Sequence, residues 1–204
     1  MSYNLNKDKF EVRKRLANSW ETPLSWTFCS APFYCCFTML CPCCAAYQQR
    51  ARALLYNWSR YICCAGMMPC SGSLGERNCP QLCLALEVTC CFSIAVQTTR
   101  MLIQDELQLR NSLCDNFIIG AMVCLQYLNC VCDLIACVAS FAATESDGTF
   151  GWLGEMSVLI DQISQSCYCV VCSCLQTQQH VELNKRDGVL LVRTAPNIQK
   201  MTRT

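Results

Sequence analysis

The chain's chemistry lies in its cysteines, which account for 22 of 204 residues and are densest between residues 35 and 44. Thiols this closely spaced bind a metal ion, carry a lipid, or pack as small apolar side chains. Structural zinc sites take four thiolate or imidazole ligands, commonly as two close pairs. Cys41 and Cys44 have the spacing of a zinc knuckle, and Cys79 and Cys83 lie one helical turn apart. The predicted metal ligands are these four and the thiols near them, namely Cys41, Cys43, Cys44, Cys63, Cys64, Cys70, Cys79 and Cys83.

The predicted ligand set is all sulfur, and His180 is the only histidine of the chain. Sulfur ligands favour zinc and other soft metals, including cadmium and copper(I), so zinc is the cofactor in this hypothesis. The alternative is that the thiols only pack against one another. A catalytic cysteine needs a nearby base, and nothing in the sequence marks a partner for His180. The sequence therefore predicts a protein that is not an enzyme.

Adjacent cysteines beside apolar residues are also candidate acceptors for palmitate. Cys35 and Cys36 stand before the zinc-like spacing, separated from it by a short apolar run. We therefore assign this pair to acylation or to packing and not to the metal.

The composition indicates a protein that is buried in lipid or against a partner. Charged residues make up 15% of the chain and apolar residues 53%, whereas ordinary soluble domains contain about 25% charged residues. A net charge of +1 provides no field that would attract nucleic acid, which we exclude as a partner. Residues 1–18 contain no apolar run of a secretory signal, so we expect the thiols to face a reducing compartment.

Helices are the elements that must position these thiols. The pattern indicates a basic amphipathic arm (1–27), a cysteine-rich helical domain (28–188) and a disordered tail (189–204). The arm either lies on an anionic membrane, with Trp20 and Trp26 at the boundary, or is a solvated terminus. Pro42 is expected to interrupt the first apolar stretch, and Pro80 to open a helix that ends near Asn111.

Residues 117–143 are the strongest membrane signal, because Asp133 is their single charge. A helix of this length crosses a hydrocarbon core of roughly 30 Å, and residues 156–174 can return as the second arm of a hairpin (117–174). Residues 144–155 contain no Lys or Arg, so the positive-inside rule places both termini in the cytoplasm. A soluble, deeply packed helical domain would have a similar hydropathy. The predicted fold is all-α: a cysteine-rich helical bundle with one or two membrane-spanning or membrane-embedded helices.

A few polar residues interrupt the apolar stretches. Gln126, Asn129 and Asp133 recur three or four residues apart and therefore share one face of a helix. Glu87 stands alone in a second apolar run. These four residues form either an ion path or helix contacts, with Glu87 paired to Arg100 in the second case.

Several longer strings carry a resemblance to a known family. They are SAPFYC (30–35), CPCC (41–44) with YQQR (47–50), SRYICCAGMMPCSG (59–72), CDNFIIG (114–120) and QTQQHVELNKRDG (176–188). With them the chain resembles a plant-type branch of the placenta-specific-eight family of cysteine-rich proteins over residues 25–188. Relatives in that family include cadmium-resistance proteins and cell-number regulators. The resemblance implies a small oligomeric membrane protein connected with heavy-metal handling or organ growth.

Taken together, these patterns predict a non-enzymatic, membrane-associated protein with a thiolate metal-binding cluster, active in heavy-metal tolerance or transport. We expect it to be a homo-oligomer or to join a membrane complex. The alternative is a structural or adaptor subunit whose cysteines only pack.

Overall fold

The computed structural model describes residues 16–66, 71–72, 75–142 and 151–190, and over them it confirms the all-α class. The arm up to Arg15, Cys70, residues 143–150 and the tail from residue 191 lie outside the described residues. Two short strands, β1 (Asn18–Ser19) and β2 (Leu109–Arg110), pair in parallel. The α-helices of the described part are α1 (Thr27–Ser30), α2 (Pro32–Leu40), α3 (Pro42–Ala53), α4 (Pro80–Cys90), α5 (Phe92–Leu107), α6 (Leu113–Ala142) and α7 (Gly151–Leu190).

The chain divides into two compact units. Unit 1 takes the residues up to Ser112 and those from Cys172 onward, and unit 2 is Leu113–Val171. Helix α7 therefore gives its first part to unit 2 and its last part to unit 1.

The two prolines act as the sequence predicts. Pro42 is the first residue of α3 and Pro80 the first residue of α4. Proline lacks the amide hydrogen that the first helical residue would leave unpaired, and its ring restricts φ to helical values. Cys41 and Cys79, which precede them, take non-helical backbone angles, so each helix starts at its proline.

The single helix predicted from Pro80 to about Asn111 is wrong. α4 ends at Cys90, α5 begins at Phe92, and their axes are bent by 118°. The hydroxyl of Thr89 donates to the carbonyls of Ala85 and Leu86, a contact that favours helix bending. Cys91 has non-helical angles, caps the C-terminus of α4 and serves as the N-cap of α5. α5 then ends at Leu107 because Gln108 adopts the left-handed conformation.

Unit 1 has a core in which Trp20 is central. Trp20 is only 7% exposed and packs with Ala53, Ile103, Leu109 and Leu183. The guanidinium of Arg100 lies 4.1 Å from the centre of its ring. The prediction that Trp20 marks a membrane boundary is therefore wrong for its side chain, which contributes burial and a cation–π contact instead.

The part of α7 in unit 1 is buried and polar. Gln176, Gln178 and Gln179 have no exposed surface. Their amides donate to the backbone carbonyls of Pro42, Thr22 and Val96 respectively. Buried polar groups need such partners, so this row of glutamines joins α7 to three other segments of unit 1. Gly188 lies inside α7, which continues to Leu190.

Unit 2 contains apolar surface without a cover. Within it, α6 and the first part of α7 expose large apolar side chains, among them Phe117, Leu134, Val138, Val158 and Leu159. Two segments, Leu113–Val138 and Glu155–Gly188, are long and apolar enough to cross a membrane. The 40 residues of α7 extend for about 60 Å, twice a hydrocarbon core, and its last part is the buried polar row.

Candidate metal centre

A left-handed turn after Ile62 brings two thiols together. Cys64, Ala65 and Gly66 have φ values of 49°, 51° and 78°. Such angles are strained for residues other than glycine, and residues held in them cluster at functional sites. The sulfur atoms of Cys63 and Cys64 lie 3.8 Å apart. Two sulfurs bound to one zinc ion in a tetrahedron, at about 2.3 Å each, are separated by roughly the same distance.

Glu87 is the third potential ligand and comes from α4. Its side chain has no exposed surface. One carboxylate oxygen, Oε2, accepts hydrogen bonds from the Tyr61 hydroxyl at 2.8 Å and from the Cys64 amide at 3.0 Å. The other, Oε1, has no hydrogen-bond partner among the described residues. The ligand atoms of Cys63, Cys64 and Glu87 all lie within 4.8 Å of one another, so the carboxylate held by these two hydrogen bonds lies beside the two thiols.

Arg50 supplies the positive charge of this site. It is 2% exposed, and its Nη2 lies 4.0 Å from Glu87 Oε1, which is close enough for an ion pair but too far for a hydrogen bond. Nη2 donates to the Ile62 carbonyl, whereas Nε and Nη1 have no hydrogen-bond partner in the described part of the chain. Burial lowers the pKa of Arg50, and Glu87 opposes that shift. The predicted pairing of Glu87 with Arg100 is replaced by this pair, and Arg100 donates to Gln178 and Asn111.

Glu76 holds the turn in place without joining the ligand group. It is 4% exposed, and its carboxylate accepts from the amides of Cys63 and Gly72. The segment between these amides is therefore tied at both ends to one side chain. This clamp fixes the position of Cys63 relative to α4.

The two thiols are in an environment that favours their protonated form. Burial, followed by the charge of Glu87, raises the pKa of Cys63 and raises that of Cys64 to about 12. Burial also raises the pKa of Tyr61, which stays a hydrogen-bond donor. At neutral pH the metal-free site thus contains two protonated thiols beside the Arg50–Glu87 ion pair and the Glu76 carboxylate. A divalent ion that displaces both thiol protons leaves the net charge of the site unchanged.

The remaining predicted sulfur ligands do not join this group. Cys41 and Cys44 form a disulfide across the start of α3, with Cα atoms 5.5 Å apart. Cys43, Cys79 and Cys83 are free thiols. Within the described ranges, Cys63, Cys64 and Glu87 are the set of three whose ligand atoms converge, and Cys70 lies outside those ranges.

The acylation pair separates into one buried and one exposed thiol. Cys35 is 1% exposed and hydrogen-bonds with Thr177, and burial raises its pKa. Cys36, its neighbour on α2, is exposed. Of the two, Cys36 is the thiol that an acyl chain can reach.

His180 is half-buried and has partners that the sequence did not mark. Its ring stacks on Tyr34 at a centroid distance of 3.6 Å. Its two ring nitrogens contact Arg52 Nη1 at 3.2 Å and Asn184 Nδ2 at 2.9 Å. These contacts explain the position of the ring through packing and hydrogen bonding.

The polar residues predicted on one face of α6 meet α7 within unit 2. Gln126 Nε2 donates to the Ser164 carbonyl at 3.2 Å, and Asn129 Nδ2 donates to Asp161 at 3.0 Å. The same Asn129 nitrogen lies 3.4 Å from Asp133 Oδ2. We call Gln126, Asn129, Asp133, Asp161 and Ser164 the polar seam. Glu87 belongs to unit 1, so it takes part in a different site from the seam.

Sequence reasoning missed five residues of these sites: Arg50, Tyr61, Glu76, Asp161 and Ser164. The first three act through contacts between segments far apart in the chain, which no local spacing reveals. Asp161 had a usable signal, because it is a charge within an apolar helix that faces a polar stripe.

Comparison with known proteins assigns no family. No family model matches the chain, and no curated protein and no solved structure matches it significantly. The resemblance to the placenta-specific-eight family therefore stays a prediction.

Proposed function

We propose that this protein is a non-enzymatic membrane protein that binds a soft divalent metal ion, with zinc as the first choice, through Cys63, Cys64 and Glu87. The observation that carries the proposal is the convergence of two thiols and the buried Glu87 carboxylate, one oxygen of which lacks a hydrogen-bond partner within the described residues. An unsatisfied buried carboxylate oxygen is costly, and a metal ion would satisfy it. Two sulfurs and one oxygen suit zinc and leave a fourth position for water or a further ligand.

The electrostatics of the site support an exchange of protons for metal. Arg50 and Glu87 cancel each other, and two thiolates would cancel a divalent ion. Metal binding therefore adds no net charge to this buried site, where an uncompensated charge would cost several kcal/mol. Proton release on binding makes the affinity depend on pH, as is usual for thiolate sites.

The membrane setting is supported by the two long apolar segments. We propose that they form a hairpin with both termini in the cytoplasm, because the residues between them lack Lys and Arg. Unit 1 and its thiols would then face a reducing compartment. Heavy-metal tolerance or transport is the process that this arrangement and the family resemblance suggest.

Metal analysis of the purified full-length protein tests the proposal. Protein in detergent, kept reduced and equilibrated with Zn²⁺ or Cd²⁺, is expected to retain about one ion per chain after desalting. Cd²⁺ binding also produces a cadmium–thiolate absorption band in the ultraviolet. Failure to retain either ion would overturn the proposal and favour the alternative of a scaffold whose thiols only pack.

Paired variants identify the ligands. Cys63→Ser with Cys64→Ser is expected to abolish retention, and Glu87→Gln to weaken it at least tenfold. Cys79→Ser with Cys83→Ser is the matched control, because it removes two predicted ligands that do not converge with the site. Equal loss in both double variants would place the metal elsewhere.

A further inference from the structure

The polar seam of unit 2 has two carboxylates and no counter-ion from its own unit. Residues 113–171 contain no Lys, Arg or His. Asp133 and Asp161 both lie within 3.4 Å of the same Asn129 nitrogen. One neutral amide thus holds two like charges close together. Like charges this close repel, and a cation or a shared proton relieves that repulsion.

Two further oxygens of the seam are buried and unused. Asn129 is 9% exposed and Ser164 has no exposed surface. Within the described part of unit 2, neither Asn129 Oδ1 nor Ser164 Oγ has a hydrogen-bond partner. Asp161 and Ser164 lie one turn apart on α7, and Asn129 and Asp133 lie one turn apart on α6, so all four oxygen-bearing side chains belong to the seam. Buried polar atoms without partners are rare, and Asn129 Oδ1 belongs to the amide that contacts both carboxylates, so these two oxygens point to a missing ligand.

We infer that the seam binds a hard divalent cation through Asp133, Asp161, the Asn129 amide oxygen and the Ser164 hydroxyl. Hard cations prefer oxygen ligands of these kinds. Two carboxylates balance a charge of +2, which favours a divalent over a monovalent ion. A half-turn of the Asn129 amide exchanges its NH₂ group for its oxygen, so the residue that separates the carboxylates in the absence of the ion becomes a ligand in its presence.

Both carboxylates of the seam lie towards one end of the candidate spans. Asp133 stands five residues before the end of the first candidate span, and Asp161 six residues after the start of the second.

Calcium binding to the full-length protein tests the inference. The probe is Ca²⁺, measured by calorimetric titration of protein in zwitterionic nanodiscs, in the Cys63→Ser/Cys64→Ser background that removes the thiol site. We expect saturable binding of one ion per chain, weakened at least tenfold by Asp161→Asn and by Asp133→Asn. Glu155→Gln, an exposed change on the same helix, is the matched control and is expected to leave the affinity unchanged.

Two results would overturn the inference. One is the absence of saturable Ca²⁺ binding up to about 10 mM, beyond the weakest protein calcium sites. The other is equal weakening by Glu155→Gln and Asp161→Asn. If Asp161→Asn loses its helical circular dichroism, the Asn129→Asp variant replaces it as the test. A third carboxylate should raise the Ca²⁺ affinity at least tenfold. An unchanged affinity refutes the site. Zinc retention by the chain with intact thiols is independent of all these outcomes.

Discussion

Units 1 and 2 treat buried charge in opposite ways. Unit 1 has arginines inside it, and Arg50, Arg100 and Arg186 each lie against a carboxylate, an amide or an aromatic ring. Unit 2 has carboxylates and no basic residue in its sequence. In unit 1 the buried charges of both signs offset one another before any metal binds, and burial favours the protonated form of its two thiols. A unit with acids alone depends on cations from its surroundings.

The largest effect is expected from removing Arg50, the counter-ion of Glu87 in unit 1. Arg50→Met leaves Glu87 buried without its cation, so we expect the free energy of unfolding of unit 1 to fall by about 3–5 kcal/mol. Thermal unfolding in detergent, followed by hydrogen exchange of unit 1 peptides, measures it. Arg77→Met, at an exposed arginine, should stay within about 0.5 kcal/mol. If the two variants behave alike, Arg50 has no role in holding Glu87.

The second effect concerns the aromatic centre of unit 1. Trp20→Leu removes the ring beneath Arg100 and the hydrogen bond from its Nε1 to Asn111, at a cost of about 2–3 kcal/mol. Trp26→Leu is the matched change, because Trp26 is 62% exposed. Unfolding midpoints of the two variants in the same detergent give the comparison. If Trp26→Leu lowers the unfolding midpoint as much as Trp20→Leu does, burial of Trp20 in the core of unit 1 is not the source of its stabilising effect.

The third prediction is the pH dependence of metal binding in unit 1. The raised pKa of Cys64, about 12, keeps its proton in place at neutral pH, so a metal must displace it. We expect Zn²⁺ affinity to rise about tenfold per pH unit for each proton released, measured by competition with a chelator between pH 6 and 8. The stability of the metal-free protein should change with pH in the opposite direction. Its raised thiol pKa contributes stability below the ordinary thiol pKa, and this contribution is lost as the pH rises above that value. A flat affinity profile would exclude the thiols as ligands.

The smallest effect belongs to unit 2. In the presence of a chelator, Asp161→Asn should raise the free energy of unfolding of unit 2 by up to about 1 kcal/mol, because it removes repulsion from Asp133. With millimolar Ca²⁺ the wild type should become more stable than the Asp161→Asn variant, since only the wild type gains the stability of a bound ion. Hydrogen exchange of unit 2 peptides with and without Ca²⁺ gives both values. Destabilisation in chelator would mean that the two acids do not repel.

Sequence patterns predicted what depends on local chemistry. The helices that begin at proline, the all-α class and the apolar segments follow from residue type and spacing alone, and the structure agrees with them. The bend at Cys91 was not predicted, because no proline or glycine marks it and Thr89 acts through its hydroxyl. Of the eight predicted sulfur ligands, the fold brings Cys63 and Cys64 together, and it adds Glu87 through a contact that no spacing reveals. Cys41 and Cys44 are joined as a disulfide, which their zinc-like spacing also suits.

The lack of basic residues in unit 2 has a practical consequence for the biochemist. Trypsin cleaves after Lys and Arg, and the chain offers neither between Arg110 and Lys185, both of which are exposed. Digestion should therefore leave residues 111–185 as one large fragment that contains α6 and most of α7. That fragment retains Asp133 and Asp161 but has lost Cys63, Cys64 and Glu87. Trypsin thus separates Asp133 and Asp161 from Cys63 and Cys64, and its cut after Arg77 divides those thiols from Glu87. Ca²⁺ binding by the large fragment can therefore be measured apart from the thiol site.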